Sequence, residues 1–170
     1  MDHVAHAFDT PLGRMLAVVD GDGALLVLEF LGDRDAGGRA AELGAGLTPS
    51  CRSFGHAAEA VRRWFEGEHA ALDAFPLHPE GTSFQRRVWD EVRRVPWGAT
   101  ASYGEIAARL RAPGASRAVG RANAANPICL AIPCHRIVGA SGALTGYGGG
   151  LERKRALLEL ESAQWGLPLT

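Results

Sequence analysis

Length, composition and charge limit this chain to a few classes of protein. Its 170 residues suit one domain or two small lobes, and 46% hydrophobic with 22% charged residues is an ordinary globular composition. The sequence has no apolar run of about 18 residues, which excludes a membrane-spanning helix. Its three cysteines lack the spacing of a disulfide framework, which favours free thiols. The start, Met1-Asp2-His3, lacks the basic-then-apolar pattern of a secretory signal. We expect a cytoplasmic protein.

The net charge of -1 hides a difference between two parts of the chain. Residues 1–79 hold 6 basic and 12 acidic side chains, a balance of -6, whereas residues 80–170 hold 12 and 7, a balance of +5. The second part is therefore the candidate for contact with an anionic partner. Charge alone is equally compatible with two solvated surfaces that happen to differ. We predict a scaffold lobe over 1–79 and a functional lobe over 80–170.

The first part predicts β structure followed by helix. Apolar runs at 15–19 and 24–30 flank Asp20-Gly21-Asp22-Gly23, which is a strong hairpin signal. The stretch 32–52, rich in glycine, alanine and charge, predicts a helix plus loop. Apolar residues at helical spacing over 56–66 predict a second helix that ends before a glycine. Nothing in this part carries chemistry.

The second part predicts several helices, two of which are joined by a tight turn. The expected N-terminal signals are a cap at Thr82 or Ser83 and a capping box formed by Ser102 and Glu105. Pro96 ends the first of these helices, and a turn at 112–114 separates the second from a third helix over about 116–125. Two short helices with a glycine-containing turn outline a helix-turn-helix, although many small proteins contain helical hairpins.

The helix predicted over 116–125 has an unusual surface. It combines the long cationic side chains of Arg117 and Arg121 with small residues, namely Ala115, Ala118, Gly120 and Ala122. Small side chains allow close approach to a sugar–phosphate backbone, and arginines neutralise phosphates or enter a groove. The alternative is a plain alanine-rich helix packed on its neighbour through Val119.

A cysteine and a histidine are adjacent at Cys134 and His135, after an apolar run over 128–132 that predicts a strand. Thiolate is the reactive form of cysteine, and a nearby base favours it. Adjacent side chains of an extended segment point to opposite sides, so His135 would act through a bent backbone or a bridging water. Cys129 is best explained as a small buried hydrophobe, and the three residues are too few and unsuitably spaced for zinc. A hydrolytic Cys–His enzyme stays open.

The end of the chain combines a glycine-rich loop with a last helix. Five glycines between 142 and 150 predict special dihedrals and exposed amides, but no Gly-Lys-Ser/Thr ending supports a phosphate loop. The last helix is expected over 151–161, with Leu157, Leu158 and Leu160 facing inward.

Separated motifs of the second part resemble one family. Ile132-Pro133-Cys134-His135-Arg136-Ile137-Val138 resembles the active-site signature of the O6-alkylguanine-DNA alkyltransferases, also called methylated-DNA–protein-cysteine methyltransferases. The resemblance extends over about residues 82–161. Its other motifs are Ser102-Tyr103, Arg117-Ala118-Val119-Gly120, Asn126-Pro127, Gly146-Tyr147 and Gly149-Gly150-Leu151. Thr10-Pro11-Leu12-Gly13 resembles the corresponding hairpin of bacterial stand-alone members.

The resemblance implies an α+β fold, in which a small N-terminal β-sheet lobe with a helix packs on an α-helical C-terminal lobe containing a helix-turn-helix. It implies direct-reversal DNA repair, with one irreversible transfer of the alkyl group from O6-alkylguanine, or O4-alkylthymine, to Cys134 after nucleotide flipping. The thioether product has no hydrolytic route back, and the reaction needs no metal or organic cofactor. The implied partner is double-stranded DNA, contacted through its minor groove by a monomer in the bacterial cytoplasm, at the nucleoid; no membrane is involved, and cooperativity on DNA is left open.

The resemblance also implies a role for individual residues at the reaction centre. Cys134 accepts the alkyl group, His135 activates the thiol through a water, and Glu161 orients the imidazole. Tyr103 hydrogen-bonds the flipped guanine and gives a proton toward its ring nitrogen. Asn126 holds the turn between the DNA-binding helix and the active-site segment.

Other residues are implied to contact DNA or the flipped base. Arg117 enters the base stack in place of the extruded nucleotide. Further DNA contacts are expected from Ser116, Ala118, Gly120 and Arg121. The base pocket is expected to be lined by Tyr103, Ile137, Tyr147, Gly148 and Lys154. The backbone carbonyls of Cys134 and Ile137 would accept hydrogen bonds from the guanine amine, with the Gly148 amide near O6.

A few positions depart from the family pattern. Gly148 stands where some members have serine, and Arg121 and Asn123 are expected on the DNA-facing helix at positions that vary. The zinc site of some relatives' N-terminal lobes has no basis here, because that lobe holds only Cys51. The alternative of another class is a non-catalytic binder of alkylated guanine. Such relatives lack the cysteine, so the presence of Cys134 argues against it.

Overall fold

The chain divides into two units. The computed structural model describes residues 3–48 and 52–165, and the side chains of all of these except 52–55 and 163–165. The first unit spans the chain to Glu80 and also holds Pro127–Cys129, whereas the second holds Gly81–Asn126 and the chain from Leu130 onward. None of the helices in the described ranges is long and apolar enough to cross a membrane.

A four-stranded sheet forms the centre of the first unit. Its strands are β1 (His3–Thr10), β2 (Gly13–Val19), β3 (Leu25–Phe30) and β4 (Ala45–Leu47). Their order is β3-β2-β1-β4, antiparallel except for the parallel pair of β1 with β4. The predicted hairpin is confirmed: the Asp20 carboxylate accepts hydrogen bonds from the amides of Asp22 and Ala24, which closes the turn between β2 and β3. Strand β1 has no continuous apolar run, and the resemblance of residues 10–13 to a hairpin was the sign of it; β1 and β2 meet there, with Thr10 opposite Gly13.

Two helices cover this sheet. Helix α1 (Ala36–Glu42) packs two alanines against Leu16 and Val18 of β2, and helix α2 (Arg52–Phe65) packs on β1 and β2. A short 3-10 helix, His69–Leu72, follows. The predicted helix over 56–66 is confirmed and begins earlier, at Arg52. The stretch 32–52 contains α1 and the unpredicted β4, and Cys51 lies outside the described residues.

The second unit is built mainly from helices. It contains α3 (Ser83–Arg93), β5 (Ala101–Ser102), α4 (Tyr103–Arg109), α5 (Ser116–Ala124), the 3-10 helix Cys134–Arg136, β6 (Ile137–Val138) and α6 (Leu151–Trp165). Helices α3, α4 and α5 pack on one another, and β5 pairs with β6 in parallel. The buried Trp89 indole donates a hydrogen bond of 2.8 Å to the Ala122 carbonyl, which ties α3 to α5.

Capping explains where two of these helices begin. Thr82 caps α3 in a capping box with Gln85, and Ser102 caps α4 in the predicted box with Glu105. Just before α3, a Cβ atom at Gly81 would overlap the Trp89 ring, so the close approach of backbone and indole requires glycine there.

The prediction for the run after α5 is wrong, and the prediction for α6 is only partly right. The run 128–132 is not a strand: Ile128 makes a single bridge to Leu28, and the chain then turns, with Leu130 in the left-handed region at φ 69°. A left-handed residue breaks the extended geometry that a strand needs. On α6, Leu157 is buried as expected, but Leu158 and Leu160 are only half-buried.

Candidate active site

Cys134 lies on a tight backbone turn. Its amide donates a hydrogen bond of 2.7 Å to the Ile132 carbonyl, and the Arg136 amide donates one of 2.9 Å to the Pro133 carbonyl. Asn126 donates from Nδ2 to the same Ile132 carbonyl at 2.8 Å, which closes the irregular segment between α5 and the 3-10 helix. Cys134 and His135 therefore lie on a 3-10 helix, and the backbone there is bent, as expected if His135 is to act on the adjacent cysteine.

Beside the cysteine, three charged or titratable side chains form a buried cluster. His135 Nε2 lies 2.7 Å from Glu161 Oε1, and Arg136 donates from Nε and Nη2 to the same carboxylate at 2.9–3.1 Å. Arg136 Nη1 also donates to the Val95 carbonyl at 2.7 Å, and the guanidinium lies 5.7 Å from the Trp97 ring centroid. The cation–π contact helps to hold Arg136, and the bidentate pair fixes Glu161 in one orientation.

The charges of this cluster follow from its burial and its partners. Burial lowers the pKa of His135, and this outweighs the opposing effect of the Glu161 carboxylate. Burial alone would raise the pKa of Glu161, but the hydrogen bonds and charges of His135 and Arg136 outweigh it and hold that pKa below its usual value. Glu161 is thus ionised and His135 neutral near pH 7. Because a carboxylate only accepts, the neutral ring carries its proton on Nε2, which makes Nδ1 the basic nitrogen.

Lys154 is a second buried charge, on α6. Its side chain is fully buried, and Nζ donates to the Ile137 carbonyl at 2.5 Å and to the Thr145 carbonyl at 2.8 Å. Burial lowers its pKa, whereas the charge of Cys134 acts in the opposite direction. Lys154 therefore holds backbone carbonyls in place, and the Ile137 carbonyl, expected to receive the guanine amine, already accepts a hydrogen bond from it.

Tyr103 begins α4 and lies at the edge of the glycine-rich segment. Its hydroxyl donates to the Thr145 carbonyl at 3.4 Å and accepts from Thr145 Oγ1 at 3.1 Å. A Cβ atom at Gly120 of α5 would lie 3.7 Å from the Tyr103 ring, so α5 passes close to the tyrosine. Tyr147 is half-buried and Gly148 is exposed.

Helix α5 presents its two arginines to solvent. Arg117 and Arg121 are exposed, and neither guanidinium makes a hydrogen bond or ion pair with any residue that the structure describes. The expected DNA contacts Ser116, Ala118 and Gly120 are half-buried on the same helix.

Asn123 lies on α5, as expected, but its side chain faces the interior of the second unit. Asn123 is 4% exposed and donates from Nδ2 to the Cys134 carbonyl at 3.3 Å. Its position, four residues after the buried Val119, puts it on the inner face of α5. Asn123 thus joins the helix that carries the exposed arginines to the turn that carries the cysteine.

The predicted reaction-centre residues take part in several hydrogen-bonded groups, and no described side-chain contact of Arg117 or Arg121 joins them. His135 and Glu161 share a buried group with Arg136, and Lys154 binds the carbonyls of Ile137 and Thr145. The half-buried Asn126 binds the Ile132 carbonyl, and the Cys134 carbonyl accepts from Asn123. Sequence reasoning gave no role to Arg136, Asn123 and Thr145. Helical spacing from Val119 was a usable signal for Asn123, whereas nothing in the sequence pointed to Thr145.

Comparison with known proteins identifies the family. The family model for the DNA binding domain of 6-O-methylguanine DNA methyltransferase matches residues 83–163. The methylated-DNA–protein-cysteine methyltransferase of Mycobacterium bovis is 52% identical over 123 residues, which are 72% of this chain and 74% of the relative. That of Mycolicibacterium paratuberculosis is 46% identical over 153 residues, 90% and 88% of the two chains. This chain belongs to the methylated-DNA–protein-cysteine methyltransferase family.

A solved structure of a family member supports the same conclusion for the fold. The crystal structure of Mycobacterium tuberculosis OGT in complex with DNA matches with a TM-score of 0.79 at 41% identity, covering 94% of this chain and 93% of that one. The predicted α+β class and the family resemblance are therefore confirmed.

Proposed function

We propose that this chain repairs O6-alkylguanine in double-stranded DNA by moving the alkyl group to Sγ of Cys134 in one irreversible step. The observation that carries the proposal is the buried network at the cysteine, in which an ionised Glu161 holds a neutral His135 immediately beside Cys134 in the chain. The activity for which the family is named and the DNA complex of a 41% identical relative agree with it.

In the proposed reaction, the alkyl carbon moves between two nucleophilic atoms. His135 takes the thiol proton, directly or through a water, and Cys134 Sγ attacks the alkyl carbon in line with the bond to O6. The S–C bond forms as the C–O6 bond breaks, and the electron pair of that bond goes to the guanine. Tyr103 gives its phenolic proton to a ring nitrogen, so that guanine leaves as a neutral molecule. The thioether is stable, so each molecule reacts once.

Binding of DNA is assigned to the exposed face of α5. Arg117 and Arg121 lack partners among the described residues, and residues 80–170 carry a balance of +5. The small side chains between them let the helix enter the minor groove, where Arg117 takes the place of the flipped nucleotide. The proposal places the protein where the chromosomal DNA is, which we infer to be the bacterial cytoplasm.

Intact-protein mass spectrometry tests the proposal. After incubation with duplex DNA containing O6-methylguanine, we expect a gain of about 14 Da on Cys134, with at most one transfer per molecule. The Cys134→Ala variant gains nothing but still binds DNA, and the matched Cys129→Ala variant reacts like the wild type. Repeated turnover would indicate a hydrolase instead, and tight binding without a mass gain would indicate a non-catalytic binder.

A further inference from the structure

Thr145 is in contact with two residues that the proposed function uses. Its backbone carbonyl accepts hydrogen bonds from Lys154 Nζ at 2.8 Å and from the Tyr103 hydroxyl at 3.4 Å. Its own hydroxyl donates to the Tyr103 oxygen at 3.1 Å. A single residue between β6 and α6 is thus held from α4 on one side and from α6 on the other.

We propose that Thr145 is a positioning residue for Tyr103. Its hydroxyl directs the phenolic proton toward the incoming base and stabilises the negative charge that develops on the phenol oxygen when that proton leaves. This inference rests on the proposed function, because it assigns a role only in a reaction in which Tyr103 donates a proton.

The hydrogen-bond inventory of a phenol explains the directing effect. A phenol oxygen has one proton to give and can accept hydrogen bonds. Thr145 Oγ1 occupies an acceptor position at 3.1 Å, so the phenolic proton must point elsewhere. It now points to the Thr145 carbonyl at 3.4 Å, a long and weak bond that a ring nitrogen of the base can replace. The bond from Oγ1 is kept during this exchange.

Lys154 explains why Thr145 is fixed before the base arrives. The ammonium is fully buried and joins the Thr145 carbonyl to the Ile137 carbonyl, which follows the 3-10 helix of the cysteine. The neighbours Gly146 and Gly148 have no side chains that could anchor the segment. Ordering the donor in advance removes an entropic cost from the reaction step.

The stabilising effect follows from the charge balance of the transfer. When the C–O6 bond breaks, its electron pair goes to guanine, which takes the phenolic proton and becomes neutral. Tyr103 becomes a phenolate, and the hydrogen bond from Thr145 then has a charged acceptor and strengthens. An interaction that is stronger in the transition state than in the ground state raises the rate. The proton taken up by His135 returns through solvent to Tyr103 after the product has left.

Two substitutions at Thr145 separate the hydroxyl from the shape of the side chain. Thr145→Val keeps the shape and removes the donor, and we expect it to slow transfer from O6-methylguanine by about 10- to 100-fold at saturating DNA. Thr145→Ser restores the hydroxyl and is expected to react within about threefold of the wild type. Single-turnover quench experiments give these rates, and fluorescence anisotropy is expected to give an unchanged Kd for DNA in both variants.

A double-mutant cycle with Tyr103→Phe tests whether the effect passes through Tyr103. In the Tyr103→Phe background, Thr145→Val is expected to cause no further slowing, because no phenolic proton remains to be directed. Equal slowing in both backgrounds, a valine variant as fast as the wild type, or a serine variant as slow as valine would each overturn the inference. Failure of the proposed function is a separate result, since wild-type Cys134 would then gain no methyl group. Urea unfolding midpoints of all variants exclude loss of folded protein as the cause.

Discussion

Helices α5 and α6 both carry charged residues, but only α6 buries any of them. Helix α5 exposes Arg117 and Arg121 and buries apolar residues with Asn123, whereas α6 buries Lys154 and Glu161. The buried charges of α6 have protein partners at 2.5–3.1 Å. The exposed arginines of α5 have none among the described residues.

This difference shows how one unit can both bind a polyanion and perform chemistry. Exposed, unpaired arginines keep their charge available for phosphates and release counterions on binding. A buried charge is costly unless it is paired, so Glu161 and Lys154 are tolerated only because Arg136, His135 and two carbonyls surround them. Those same contacts fix the reacting groups before substrate arrives. This comparison is tested by substitutions that remove a buried charged or titratable group or an exposed charge, each with its own control.

The largest expected effect is on stability, from Glu161→Gln. The substitution leaves the buried Arg136 guanidinium without its counter-charge, and breaking a buried pair from one side costs about 3–5 kcal/mol. We therefore expect the free energy of unfolding, measured by urea denaturation, to fall by about 3 kcal/mol or more, with transfer activity lost as well.

The matched control for this experiment is an exposed ion pair of the first unit. Glu59 pairs with Arg62 at 2.6 Å, with about half of each side chain exposed, and exposed pairs contribute little to stability. Glu59→Gln is expected to leave the urea midpoint unchanged. Equal shifts of the midpoint in the two variants would mean that the buried pair is no more important to folding than a solvated one.

A smaller effect is expected on the pH dependence of stability. Burial holds the pKa of His135 below 6.5, its usual value, so between the two pKa values the unfolded chain binds a proton that the folded protein does not. Stability therefore falls as pH drops below about 6.5, by up to about 1.4 kcal/mol per pH unit from this residue. The depressed pKa of Glu161 adds a further loss below its usual value of 4.5. Urea unfolding from pH 8 to pH 5 measures this slope.

His135→Gln identifies the source of that slope. Glutamine keeps a donor for Glu161 but does not titrate, so the decline that begins near pH 6.5 is expected to be shallower than in the wild type. If the variant declines as steeply as the wild type over this range, another group is responsible and His135 is not held neutral in the folded protein.

The sequence predicted those parts of the fold and site whose signals are local. The β2–β3 hairpin follows from Asp20-Gly21-Asp22-Gly23, and the start of α4 follows from the Ser102 and Glu105 capping box, because both depend on residues within a few positions of one another. Cys134 and His135 were found because a contiguous motif marks them. A stretch of a few residues is enough for such features.

The remaining features depend on contacts between distant parts of the chain. Leu130 adopts a left-handed conformation that its own side chain disfavours, so the turn at 128–132 resembles an apolar strand in sequence. Arg136 binds Val95, which is 41 positions away in the sequence, and Glu161, which is 25 positions away. Thr145 binds Tyr103, which is 42 positions away. The spacing of leucines on α6 predicted an apolar inner face. Lys154 and Glu161 are buried there as well, because their partners lie on the segment 135–145, which helical spacing on α6 does not show.

The smallest expected effect comes from an exposed arginine of α5. Arg121→Ala is expected to weaken binding to every DNA sequence to a similar extent and to reduce the slope of log K against log salt concentration by about one, because one phosphate contact is lost. Stability and the transfer rate at saturating DNA are expected to stay at wild-type values. Fluorescence anisotropy titrations with duplex DNA at several salt concentrations measure the slope.

Arg155→Ala supplies the control from α6 and completes the comparison of the two helices. Arg155 is also an exposed arginine, but it lies on the helix that buries Lys154 and Glu161. If binding depended only on the net charge of the second unit, Arg121→Ala and Arg155→Ala would change the salt slope equally, since each removes one positive charge. A reduced slope for Arg121→Ala together with a wild-type slope for Arg155→Ala would instead locate the phosphate contacts on α5. Equal slopes would contradict the assignment of the phosphate contacts to α5 and not to α6, even if both variants bound DNA more weakly.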